Sequence, residues 1–166
     1  MVATATIATV DRTMTSTPAT RSGALDEREL RAWRGMLEAH AAVTRELDTE
    51  MRAEHGLSVS AYEVLMFLAD APDHRLRMAD IADRVLLSRS GLTRLVDRLV
   101  ALGLVRRNPC ADDGRGSYAE LTPEGRERLA AARATHLAGV RRFFLDRLSR
   151  EDQDALGDAW SRVLPK

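Results

Sequence analysis

The stretch SRSGLTRLVDRLVAL, Ser88–Leu102, decides the fold. Ser88 has the chemistry of a helix N-cap, because its hydroxyl accepts from a backbone N–H that a helix's first turn leaves free. Leu92, Leu95, Val96, Leu99 and Leu102 follow at spacings of three or four, giving one apolar face on a helix that Gly103 ends. The opposite edge near the start carries Ser88, Arg89, Ser90, Thr93 and Arg94, with Arg98 one turn further on. Arginine pairs bidentately with guanine edges, and hydroxyls contact bases or phosphates. Gly91 has no side chain and permits close approach to a groove.

Immediately upstream, Met78, Ile81, Ala82 and Val85 predict a short amphipathic helix over Met78–Val85, joined to the first by the tight connection Leu86–Leu87. Two short helices around a tight turn, the second rich in Arg, Ser and Thr, form a helix-turn-helix signal. Downstream, Leu104–Arg107 reads as a strand and Ser117–Leu121 alternates again. Between them Pro109, Asp112, Asp113, Gly114 and Gly116 are turn residues, so the segment predicts a β-hairpin with a long charged tip. Arg106, Arg107 and Arg115 sit on it, in reach of a minor groove or flanking phosphates.

Long helices flank this centre. Leu25–Glu54 has no proline, and Leu30, Trp33, Leu37, Ala41, Thr44, Leu47 and Met51 form one stripe, with Gly56 as its C-cap. Ser58 or Ser60 starts a second helix that is apolar nearly all round, closed by Pro72, and Pro72–Leu76 reads as a loop. Thr122-Pro123-Glu124 combines an N-cap, a proline at the first helical position and an acid in the first turn. A long helix runs from there towards Leu148, and Ser149 starts a last one carrying Leu156, Trp160 and Val163. The expected class is mainly α with a small β wing. Residues 57–122 form a winged helix-turn-helix DNA-binding lobe, 25–56 and 123–166 a helical dimerisation frame, and 1–24 a flexible tail. Leu137, Val140, Phe143, Phe144, Leu148, Leu156, Trp160 and Leu164 offer more apolar surface than so small a lobe covers, and a two-fold dimer buries such stripes.

The chain has 166 residues, 45% hydrophobic and 30% charged, with no formal net charge. Its distribution matters more than its sum. Eight Arg face three Asp between Arg75 and Arg107, whereas five Arg face eight acids between Leu25 and His55. A basic middle on a more acidic frame suits nucleic-acid binding. No apolar run approaches the roughly 18 residues of a membrane span, and Met1–Thr20 lacks the pattern of a secretory signal. The single cysteine, Cys110, leaves no partner for an intramolecular disulfide and no multi-cysteine zinc site, so a reducing cytoplasmic setting is expected.

The stretch MADIAD (Met78–Asp83), LSRSGLTRLVDRL (Leu87–Leu99), GLVRR (Gly103–Arg107), DDGR (Asp112–Arg115) and LTPEG (Leu121–Gly125), all in register, resembles the MarR family of winged-helix regulators over about Leu25–Lys166. The resemblance implies an obligate homodimer with interlocked first and last two helices, binding a palindromic operator. It implies recognition-helix roles for Ser88, Arg89, Ser90, Thr93 and Arg94. It also implies that Asp113 orients the wing while Arg115 enters the minor groove. A small aromatic or acidic effector in the cleft between frame and lobe is a further implication, with repression the expected mode.

Position along the helices makes Trp33, His40, Tyr62, Glu63 and Arg77 the candidate effector residues; an anion would be held by Arg77 or Arg94 with Trp33 stacking. No cofactor is called for, and the four histidines lack metal-ligand spacing. Neither G-x-S-x-G, a P-loop, G-x-G-x-x-G nor His-Glu-x-x-His occurs, which argues against an enzyme. Two alternatives stand beside DNA reading: a winged-helix protein-interaction module, and a redox regulator in which arginines near Cys110 lower its thiol pKa.

Overall fold

Local capping chemistry sets most element boundaries in the computed structural model, which describes residues 23–85, 87–109 and 117–164. Helix α1 spans Glu27–His55, opened by a capping box between Asp26 and Glu29 and closed by Gly56 in the left-handed conformation, φ 66°. Helix α2, Val59–Asp70, starts at Ser58, whose hydroxyl accepts from Ala61 N. After a 3-10 turn at Pro72–His74 come strand β1, Arg75–Arg77, and helix α3, Met78–Ala82. Helix α4 spans Arg89–Ala101, strands β2 and β3 span Val105–Pro109 and Ser117–Leu121, and helix α5 spans Pro123–Phe143. A 3-10 turn at Leu145–Arg147 precedes α6, Arg150–Val163, whose N-cap is Ser149.

The fold is mainly helical with one antiparallel sheet in the order β1-β3-β2. Its register pairs Leu76 with Ala119, Val105 with Leu121, Arg106 with Glu120 and Arg107 with Ala119. Side chains alternate across a sheet, so Ala119, Leu121 and Val105 are buried while Glu120 and Tyr118 are only half-buried. Residues from α1, α2, α3, α4, the sheet and α5 share one core around Met51, Leu57, Leu65, Leu68, Ile81, Leu92 and Leu99. Helix α4 contributes Leu92, Leu95, Val96 and Leu99, as its periodicity predicts.

Three differences from the sequence reading have physical reasons. Strand β1 falls where a loop is expected, because Arg-Leu-Arg is too short to show an alternation and becomes a strand only by pairing with β3. Leu102, read as the last inward residue of α4, is 58% exposed, since the helix ends at Ala101 and the chain turns at Gly103, φ 72°. Helix α5 stops at Phe143, not near Leu148, because the backbone leaves helical geometry at Phe144.

Candidate nucleic-acid interface

Helix α4 presents its polar edge to solvent because its other face is core. Ser88, Arg89, Ser90, Thr93, Arg94 and Arg98 are all exposed. The start of the helix is fixed from within: Gly91 N donates to Ser88 Oγ at 3.1 Å, and Thr93 Oγ1 donates to Arg89 O at 3.0 Å. Ser88 Oγ also lies 3.2 Å from Ser90 Oγ. Arg89, Arg94 and Arg98 make no ion pair with another described residue. Three exposed guanidinium groups on one rigid edge attract an anionic polymer and pair with guanine or phosphate oxygens.

Arg107 behaves differently from these three. Its Nη1 pairs with Asp97 Oδ1 at 3.0 Å, and its Nη2 approaches Met78 Sδ at 3.9 Å. Arg106, on the other face of β2, is exposed. Asp113, Arg115 and Cys110, expected on the wing tip, lie outside the described residues.

A cleft of about 610 Å³ opens between the basic edge of α4 and helices α1 and α2, lined by Asp48 and Arg52 of α1, Ser58 and Ser60 at the start of α2, and Arg94, Asp97 and Arg98 of α4. Asp48 is already committed: it accepts from Val59 N at 2.9 Å and from Arg52 Nε at 2.5 Å. The residues expected for an effector do not converge on this cleft. Tyr62 is core, 3% exposed, stacked on His136 with ring centroids 4.4 Å apart. Glu63 is half-buried, and burial raises its carboxyl pKa against a lowering influence from His40, which brings those two into electrostatic reach. Trp33 is 53% exposed on α1. Arg77 lies in the sheet, its guanidinium over the Tyr118 ring at 5.5 Å and its Nε donating to the Tyr118 hydroxyl at 3.2 Å. Of the polar residues lining the cleft, Asp48, Arg52, Asp97 and the two serines were not among the site residues expected from the sequence. Ser58 and Ser60 carried a signal only as alternative caps of α2, a role that falls to Ser58.

A short helix, a second helix with an exposed basic edge and a three-stranded wing define a winged helix-turn-helix module of the kind that binds DNA. The MarR family model matches residues 55–116. The chain is 34% identical over 115 residues to the HTH-type transcriptional repressor YetL of Bacillus subtilis, covering 67% of this chain and 68% of YetL. It is also similar to Sco3205, a MarR family transcriptional regulator from Streptomyces coelicolor solved in complex with DNA: 36% identity, 86% of this chain and 89% of that one, TM-score 0.77. AbsC, another MarR family regulator from the same organism, gives 34% identity, coverage of 86% and 95%, and TM-score 0.75. The chain belongs to the MarR family. It is therefore a DNA-binding transcriptional regulator and not an enzyme.

Proposed function

We propose that the protein is a homodimeric, ligand-responsive repressor that binds a palindromic operator. The observation that carries this reading is the α4 edge, where Arg89, Arg94 and Arg98 stand exposed with no acidic partner among the described residues. In this reading Arg89, Ser90, Thr93 and Arg94 meet base edges in a major groove, Ser88 and Arg98 meet phosphates, and the wing, with Arg115 and Asp113, reaches the adjacent minor groove. Residues 57–122 act as the DNA lobe and the flanking helices as the dimerisation frame, which sets two copies of α4 about 34 Å apart. The name of YetL as a repressor supports repression; the cytoplasm, where the chromosome lies, is the corresponding compartment.

The effector is a small anion, aromatic or acidic, held in the cleft beside Arg52, Arg94 and Arg98. Binding there draws two operator-reading guanidiniums towards the ligand, so the ligand favours the DNA-free arrangement and shifts the equilibrium through that difference in affinity.

One experiment tests both halves: operator selected from random duplexes, then bound in a salt series by wild type and Arg94→Ala, with and without aromatic carboxylates. Expected are a steep loss of affinity with salt, a loss of about 1–3 kcal/mol in Arg94→Ala with relaxed sequence preference, and release by at least one carboxylate. Wild-type affinity in Arg94→Ala overturns the interface; operator binding indifferent to every carboxylate overturns the effector class.

A further inference from the structure

The two arginines that end the GLVRR stretch point to opposite faces of the wing. The register sets Arg106 across from Glu120 and Arg107 across from Ala119. Ala119 is fully buried against the core, so Arg107 emerges on the side of the sheet that faces the helices. There its guanidinium bridges two elements, reaching Asp97 of α4 at 3.0 Å and the Met78 sulfur at the start of α3 at 3.9 Å. Asp97 sits on the same exposed side of α4 as Arg94 and Arg98, with its side chain 54% exposed against 33% for Arg107. An unpaired carboxylate there would repel phosphates; paired with Arg107 it links the helix to the wing.

Between the end of α4 and β2 the chain provides only Leu102–Leu104, including Gly103 at φ 72°. Backbone bonds from Gly103 N to Val100 O at 2.9 Å and from Leu104 N to Leu99 O at 2.9 Å tie the root of β2 to the end of α4, but they reach no further along the strand than Leu104. The Asp97–Arg107 pair adds a side-chain connection between β2 and α4 beyond that root, at 3.0 Å.

We propose that Arg107 is a positioning residue and not a DNA contact: through Asp97 it fixes the angle between recognition helix and wing, so that both meet their grooves at once. The proposal rests on the reading that α4 and the wing grip one operator together.

The test measures operator affinity and hydroxyl-radical footprints for Arg107→Ala, Asp97→Ala, the double variant, the charge-swapped pair Asp97→Arg with Arg107→Asp, and Arg107→Lys. Unfolding midpoints serve to confirm folding. A strut requires each single alanine variant to weaken binding by about three- to tenfold, the double variant to be no weaker than either single one, and Arg107→Lys to recover most of the loss. Protection at the wing's minor groove should fade while that of the major groove persists, and the swapped pair should bind better than either of its single components. If Asp97→Ala binds as tightly as wild type or tighter while Arg107→Ala binds more weakly, Arg107 touches DNA and the proposal fails. Two neutral alanine variants also overturn it. Arg94→Ala in the same assay keeps the two readings apart, since wild-type affinity there condemns the α4 interface and not the strut.

Discussion

His136 shows how one side chain couples burial to pH. Its ring lies on Tyr62 with 21° between the planes, and its Nδ1 is buried with no hydrogen-bond partner among the described residues. Burial without an acceptor penalises the imidazolium and holds the His136 pKa below the usual histidine value. The unfolded chain therefore takes up a proton more readily than the folded one. The stability from neutral His136 is fully present above about pH 6.5 and is lost as pH falls through the lower folded value. His136→Phe keeps a ring against Tyr62 and removes the titration. Thermal unfolding from pH 8 to pH 5 should show a shallower acid decline for His136→Phe than for wild type, with the two curves closest at the alkaline end. Parallel curves would mean that some other group carries the acid sensitivity.

At the scale of elements, the junction between the turn after α4 and the start of α5 depends on a hydroxyl and a missing side chain. Thr122, buried at the N-cap of α5, accepts from Gly125 N at 3.0 Å and donates to Gly103 O at 2.7 Å, while its own N–H donates to Leu104 O at 3.1 Å. A Cβ on Gly125 would lie 2.1 Å from Leu104 O and 2.8 Å from Leu121 Cδ1, so neither α5 nor the turn after α4 can accept one without moving. Gly125→Ala should cost about 1–3 kcal/mol in urea unfolding, as overpacking does. Gly157→Ala in α6, where a Cβ meets nothing within 4 Å, should instead stabilise by about 0.5–1 kcal/mol. Equal effects at both sites would refute the packing argument. Capping of this kind is why so many boundaries were legible: Ser58, Ser88, Thr122 and Ser149 cap backbone groups within three residues, and Gly56 needs only its own φ. The basic edge of α4 was legible for the same reason, being one face of one helix. Partners across elements were not. Nothing local pairs Arg107 with Asp97, makes Arg75–Arg77 a strand, or turns Arg77 and Tyr62 away from the cleft, because each depends on how separate elements pack.

For the whole molecule, the stripe along α1 divides in two. Its end, Leu47 and Met51, is core, whereas Trp33 and Leu37 are 53% and 47% exposed. Leu137 of α5 is 48% exposed, Val163 and Leu164 more so, and α6 buries no residue against the chain. A groove of about 600 Å³ lies between α1 and the end of α5, walled by Val43, Phe143, Phe144 and Leu148. Apolar surface on this scale, most of it on α1, α5 and the end of α6, fits an association face, and a two-fold arrangement would let each copy cover the other's. Light scattering at micromolar concentration should give twice the 18.4 kDa chain mass. Trp33→Asp with Leu37→Asp should shift the population towards monomer and weaken operator binding far more than binding to a half-site, since the lobe and its α4 edge stay intact while the linkage between lobes is lost. A monodisperse wild-type monomer, or a double variant that grips full operator and half-site as wild type does, would show that α1 has no part in joining two lobes.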